Sequence, residues 1–405
     1  MRKKILFFST LYYPQIIGGA ERIAQFLAEG LLESQYEPVV ITTKDKNAID
    51  QSATEEEYVN KVKVYRLNLE NIYYPFRYND IPSKLQKLIW HVRDIENRKM
   101  GKKIRALLDR EKPALVCTHN LTGFSDVVWK IVKQRHLPLV HILHDYYQLC
   151  PKSTMYNNRV CNGQCMICKL FSIRKKMFSA NVDAVVGVSK FVLSKHLELG
   201  YFKKTRVKSV IYNAIKLQDE VVSNSSFVVG GKLKLGYIGG LLASKGIEVL
   251  LQAVNNVANE RIEVFIAGRA EDSYLRYLKE TYFADNVHYL GFIKPEDFFK
   301  QIDILVVPSI WNEPLATVII EALFYLKPVI GSNVGGTPEL IEDGSTGVLV
   351  KPNDVASLTR AISNFVQDPS LIVAMQAGII EKRKLFSLQE FIVKYVNLFD
   401  SFFTT

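Results

Sequence analysis

Short, mostly apolar runs alternating with stretches of helical spacing constrain this chain more than any other feature. Residues 5–8 (Ile-Leu-Phe-Phe), 39–42, 114–118, 139–143 and 184–188 form one set of such runs, and residues 233–238, 262–267, 304–307 and 328–331 form a second. A strand covered on both faces reads as a continuous apolar run, and strands alternating with helices build parallel sheets. Residues 20–32 and those from about 246 onward carry the helical spacing. Between the two sets, residues 221–231 are polar and glycine-rich, as a linker is. The chain has 405 residues, enough for two domains of ordinary size. The expected division is an N-terminal domain over 1–217, a second over 232–386, and an amphipathic helix within 387–405. Two doubly wound domains would bind ligand at the carboxyl ends of their strands.

Composition narrows the class. The chain is 48% hydrophobic and 23% charged, which excludes disorder. No run approaches the roughly 18 apolar residues of a spanning helix. Arg2-Lys3-Lys4 before the first apolar run imitates a signal peptide, but no small-residue cleavage pattern follows, so a first buried strand and a cytosolic location are the expectation. Net charge is +11, unevenly placed: residues 1–217 hold 36 Lys and Arg against 19 Asp and Glu, the remainder 16 against 22. The basic half suits an anionic membrane surface or an anionic acceptor. Nucleic acid is not expected, since no nucleic-acid motif accompanies the charge.

Glu313 and Glu321 bracket the end of one apolar run and the start of a helical stretch. With Pro314 opening the helix, they would stand about 12 Å apart along its axis. That spacing suits a ligand with hydroxyls at both ends and a diphosphate between them, resting on the helix N-terminus, as a nucleotide-diphosphate sugar would. Gly18-Gly19-Ala20-Glu21 and Gly239-Gly240 through Lys245-Gly246 stand at matching places after the first strand of each set. Glycines there admit close backbone approach, and Lys245 could neutralise a diphosphate. Gly18-Gly19 is not a dinucleotide fingerprint, which argues against a nicotinamide enzyme. His144-Asp145 follows the run at 139–143 and so lies at a strand's carboxyl end, whereas His141 within the run reads as core.

Together these segments resemble the family-4 retaining glycosyltransferases of the GT-B fold along nearly the whole chain. The resemblance also rests on Val188-Ser189-Lys190, Tyr212-Asn213-Ala214, Gly268, Gly291-Phe292, Lys327-Pro328-Val329-Ile330, Gly335-Gly336-Thr337-Pro338-Glu339 and Asp343-Gly344-Ser345-Thr346-Gly347. It implies two Rossmann-like domains facing a cleft, with the C-terminal helix returning to the first domain. It implies a donor site in which Glu321 takes the ribose hydroxyls and Glu313 the transferred sugar. Lys245 with the amides near Gly19, Ala316 and Thr317 would hold the diphosphate, and the backbone at Ile293 the base. His144 would stand near the reacting sugar, making His144, Lys245 and Glu313 the catalytic set. No Asp-x-Asp motif is present, which fits metal-independent donor binding. The implied reaction is transfer from a nucleotide-diphosphate sugar, UDP rather than GDP favoured, to a glycan or lipid-linked acceptor in cell-surface polysaccharide synthesis. The alternatives are a non-catalytic nucleotide-sugar-binding subunit and a basic membrane-binding module. Where the family usually has an Arg, this chain has Gly240, and Arg269 is the substitute cation nearest in sequence. Leu315-Ala316 and Leu326 are further departures.

Cys150, Cys161, Cys165 and Cys168 are spaced by ten, three and two residues, close enough for one structural zinc. Four reduced thiols, or a redox pair at Cys165 and Cys168, are the alternatives; Cys117 reads as core. Residues 82–112 and 169–178 are basic and interleaved with Leu85, Leu88, Ile89 and Trp90 in the first and Leu170, Phe171 and Ile173 in the second. Such segments either lie on an anionic membrane, peripheral to its inner face, or turn the apolar stripe into a core.

Overall fold

The computed structural model describes residues 2–46, 54–77, 81–216, 231–257 and 261–403; linker residues 221–230 lie outside them. The chain divides into two compact units. One comprises Met1–Met155, Cys161–Asn213 and Leu388–Thr405, the other Tyr156–Val160 and Ala214–Ser387.

In the first unit the order is β1 (Lys3–Phe8), α1 (Gly19–Leu31), β2 (Tyr36–Lys44), β3 (Thr54–Val59), β4 (Val62–Asn68), α2 (Lys84–Ile95) and α3 (Arg98–Glu111). Then come β5 (Leu115–Thr118), α4 (Val127–Gln134), β6 (Leu139–Leu143), α5 (Met166–Phe178), β7 (Ala184–Gly187), α6 (Lys190–Glu198) and β8 (Val207–Val210). The strands lie in the order β3-β4-β2-β1-β5-β6-β7-β8. All pairs are parallel except β3 with β4. That hairpin turns through Asn60 and Lys61, both left-handed, the geometry that matches strand twist. The central strands β1, β5, β6 and β7 are buried over nearly their full length, as their apolar runs require.

The second unit runs β9 (Leu233–Ile238), α7 (Ile247–Asn255), β10 (Ile262–Ala267), α8 (Asp272–Thr281), β11 (Val287–Gly291), α9 (Pro295–Phe299) and β12 (Ile304–Val307). It continues with α10 (Thr317–Phe324), β13 (Val329–Ser332), α11 (Thr337–Leu340), β14 (Gly347–Val350), α12 (Val355–Gln367), α13 (Ser370–Ala374) and α14 (Gln376–Arg383). Its sheet is wholly parallel, ordered β11-β10-β9-β12-β13-β14. In each sheet the strand order reverses beside the first strand, between β1 and β5 and between β9 and β12. The crevice at the carboxyl ends there is where such sheets receive ligands.

The last helix, α15 (Leu388–Asp400), belongs to the first unit, as expected. Phe399 meets the rings of Phe7 and Tyr36 at 6.5 and 5.9 Å, and the Tyr36 hydroxyl donates to Asp400. A side chain at Gly30 on α1 would begin 2.3 Å from Ile392, so glycine sets how closely the two helices approach.

Candidate functional site

In the second unit, the turn after β9 and the end of β12 are locked together by backbone contacts. The turn Ala243–Lys245 closes at Gly246, whose φ is +73° and where a Cβ would fall 1.9 Å from the Pro308 carbonyl oxygen. Only glycine meets both demands. The amides of Ile310 and Trp311 donate to the Ser244 carbonyl at 2.9 and 3.2 Å. This delivers Lys245 to Glu313, with Nζ 2.8 Å from Oε2, while the Ser309 hydroxyl donates to Oε1. The ammonium also lies 5.5 Å from the centre of the Trp311 ring. Glu313 is only 5% exposed. A carboxylate buried so far needs such partners, which fix its direction.

Pro314 does not open the helix. α10 begins at Thr317 with Ala316 as its cap, because the preceding loop spends its hydrogen bonds sideways. The Glu313 amide donates to Trp311 and its carbonyl accepts from Gly336 at 2.8 Å. Glu321 therefore stands five residues past the cap, about 7.5 Å along the axis from Ala316. The roughly 12 Å expected between Glu313 and Glu321 does not apply, because no helix runs from Pro314. Ala316 and Thr317 form the helix mouth, whose first amides lack intrahelical partners and favour an anion.

The Leu241 amide donates to the Arg269 carbonyl at 2.9 Å, so the second residue after β10 is tied to the loop holding Gly240. The Arg269 guanidinium sits 5.1 Å over the Phe292 ring. Ile293 lies half-buried between β11 and α9. Lys245, Glu313, Ala316, Thr317, Arg269 and Ile293 thus all occur at or just past carboxyl ends of strands in this one sheet, with Glu321 inside the helix that follows.

In the first unit, the Gly18 amide donates to the Glu21 carboxylate at 2.8 Å. The mouth of α1, next to Gly19, thus already receives an acidic side chain of its own, whose pKa burial raises. His144 follows β6 and pairs with His119, which follows the adjacent β5. His119 Nδ1 lies 2.8 Å from His144 Nε2, and the two rings stack 5.0 Å apart. Burial pushes both imidazoles down, His144 to about 3, so the pair is neutral at ordinary pH and shares one proton between the facing nitrogens. His119 was not singled out from the sequence, although it follows the run at 114–118 just as His144 follows that at 139–143. His141 is core: it is buried, with Thr118 Oγ1 at 2.9 Å.

All five cysteines are free thiols, Cys117 deep in the core. Cys165 caps α5 and is hydrogen-bonded to Cys168, which in turn contacts Cys150. The Cys161 amide donates to Met155 at 3.0 Å. Among the described residues, no group of three or more His, Cys, Asp or Glu is arranged to hold a metal ion.

The model for glycosyl transferases group 1 matches residues 219–384, and that for glycosyltransferase family 4 matches residues 17–219. The "Uncharacterized 42.6 kDa protein in cps region" of Klebsiella pneumoniae is 34% identical over 340 residues, 83% of this chain and 87% of that protein. Sucrose-phosphate synthase from Thermosynechococcus elongatus superposes with a TM-score of 0.77 at 19% identity, covering 99% of both chains. Anabaena HepE in complex with UDP and glucose superposes with a TM-score of 0.71 at 19% identity, covering 98% of this chain and 100% of that one. These structural likenesses speak for the GT-B fold, two mostly parallel Rossmann-type sheets. With a family model over each half and a relative along most of its length, the chain belongs to the family 4, group 1 glycosyltransferases.

Proposed function

We propose that this glycosyltransferase moves a hexose-type sugar from a UDP-sugar to a glycan or lipid-linked acceptor, with retention of anomeric configuration and without a catalytic metal. The observation that carries the reading is the Lys245–Glu313 pair at 2.8 Å, set beside the mouth of α10. It offers a cation and helix amides to a leaving diphosphate and a fixed carboxylate to sugar hydroxyls. UDP is preferred over GDP because HepE was solved with UDP and glucose, and the Klebsiella relative in a cps region supports a role in polysaccharide synthesis. His144, held neutral, would serve as a hydrogen-bonding group near the reacting sugar rather than as an acid. The test is transfer and hydrolysis with a panel of UDP- and GDP-sugars. A protein that binds UDP yet turns over no donor with any acceptor would instead be a donor-binding subunit.

Glu321→Ala is expected to weaken UDP binding by about 1.5–3 kcal/mol, the range for charged hydrogen bonds to ribose hydroxyls. Glu313→Gln should reduce transfer while leaving UDP affinity nearly unchanged. Titration calorimetry with UDP separates the two, and wild-type affinity in Glu321→Ala would remove the ribose assignment.

A structural zinc on Cys150, Cys161, Cys165 and Cys168 is a separate proposal that rests on their spacing, with the pairs Cys165–Cys168 and Cys168–Cys150 in contact. Protein purified without chelator is expected to carry about one zinc per chain, and Cys165→Ser to lose it and melt earlier. Metal-free wild type with wild-type melting in Cys165→Ser would leave the reduced thiols as they stand.

A further inference from the structure

Two neighbouring helices of the first unit are turned inside out. On α2, Leu85, Leu88, Ile89 and Val92 repeat at helical spacing and form one stripe, as do Met166, Leu170, Ile173 and Met177 on α5. A stripe of that kind ordinarily seals a helix onto a core. Here all eight residues are exposed, between 39% and 78%. The opposite faces are the buried ones, and they carry polar groups. Asp94 of α2 takes hydrogen bonds from the Gly123 amide and the Tyr147 hydroxyl. Lys175 of α5 donates to the Tyr147 carbonyl at 3.0 Å and lies over the Tyr147 ring. His91 and Phe171 join the two helices ring to ring at 5.9 Å. These anchors fix the helices side by side with their stripes outward, so the exposure is built in and does not come from a loosely packed element.

The exposed charges on the two helices have one sign, and Glu96 at the end of α2 is paired with Arg174 of α5. Lys84, Lys87 and Arg93 on α2 and Lys169 and Lys176 on α5 are exposed. The only carboxylate on either helix is Asp94, which is buried. At 12 and 13 residues, the helices are too short to span a bilayer, and among the described residues no helix is long and apolar enough to cross one. An apolar stripe flanked by Lys and Arg, on a helix too short to span, is the pattern that lies in the headgroup layer of an anionic membrane. A second copy of the chain is a poorer occupant, because a two-fold contact would set these cations against one another.

We propose that the paired outer faces of α2 and α5 are a docking surface for an anionic lipid bilayer. The apolar stripes enter the interface and the flanking lysines and Arg93 contact the headgroups. This surface does not depend on the donor chemistry proposed above, and its test requires no sugar nucleotide.

The full-length protein is sedimented with vesicles of phosphatidylcholine alone or with about 30 mol % phosphatidylglycerol. Binding to the anionic vesicles is expected to be at least about tenfold tighter and to weaken as salt rises. The Leu88→Glu/Leu170→Glu pair should lower binding at least about tenfold with an unchanged melting temperature, since both side chains already face water. Lys84→Gln/Lys169→Gln should cost about fivefold per lysine, and only on anionic vesicles. Failure of the wild type to sediment with anionic vesicles would overturn the proposal, as would wild-type binding by Leu88→Glu/Leu170→Glu. It would equally be overturned if light scattering found a dimer that this pair dissociates while vesicle binding is absent, which would assign the face to a second copy.

Discussion

Replacing Lys245 with alanine is expected to lower sugar transfer by about 10²–10³-fold, the range for removing one preorganised group aimed at developing negative charge. The ammonium is held against Glu313 at 2.8 Å and by the turn that Gly246 closes. It therefore needs no reorganisation when the diphosphate departs. The same change strands the nearly buried Glu313 carboxylate, although the Ser309 hydroxyl still donates to it. A stability loss of about 1–3 kcal/mol should accompany it. Turnover measured well below the melting temperature of Lys245→Ala distinguishes the two effects, since the variant should be slow even where it is fully folded. Arg269→Ala should lower turnover at saturating donor by less, because its guanidinium is exposed over Phe292. Gly240→Arg should be accepted, as a Cβ there meets nothing nearer than Leu242 at 3.7 Å, and should raise turnover if an added cation helps. Release of nucleoside diphosphate at saturating donor reads all three. Unchanged turnover in Lys245→Ala would sink the leaving-group role, and unchanged turnover in Arg269→Ala would remove that residue from it.

Gly246→Ala should be strongly destabilising, costing about 3 kcal/mol or more. The left-handed backbone alone costs an alanine about 1–2 kcal/mol. The new methyl would also fall 1.9 Å from the Pro308 carbonyl oxygen, a backbone atom that cannot rotate away. Gly246 directly follows Lys245, so disturbing this turn displaces the diphosphate-facing ammonium and UDP binding should weaken together with folding. Gly240→Ala, six residues earlier, is the control and should stay within about 0.5 kcal/mol of wild type. Urea unfolding of the three proteins is the measurement, and a wild-type midpoint for Gly246→Ala would refute the argument from close approach.

The fold was legible where burial is two-sided. β7, β12 and the Ile5–Phe8 part of β1 are legible from their apolar runs because a strand covered on both faces has few polar positions to interrupt it. β11 and β8 were not read: they sit at sheet edges, are only partly buried, and carry His288 and Lys208 within their runs. The β3–β4 hairpin begins with three consecutive glutamates after Thr54, which mask its alternation. In the site, Lys245 and Glu313 were visible as residue types at strand ends. Their pairing was not, since 68 positions separate them and only the Gly246–Pro308 approach brings them together. Ser309 stands beside Pro308 in the sequence without an evident role, and His119 carries the same strand-end signal as His144. The helix mouth was placed three residues early because Pro314 is as compatible with a loop as with a first helical turn. The stripes on α2 and α5 were apparent as periodicity, but periodicity is silent about which side faces water. That was decided by Asp94, Ser172 and Lys175, which are polar and yet buried.

The return of α15 to the first unit makes that unit discontinuous in the chain, and this bears on how the protein emerges from the ribosome. Phe7 and Tyr36 are made several hundred residues before their partner Phe399. At about 5–20 residues per second, the intervening second unit takes roughly 10–35 s to synthesise. Through that interval the seam along α1 and β2 has no cover from its own chain, while the second unit can already close around its wholly local set of strands. The final helix then acts as a latch that completes the older half after the younger one.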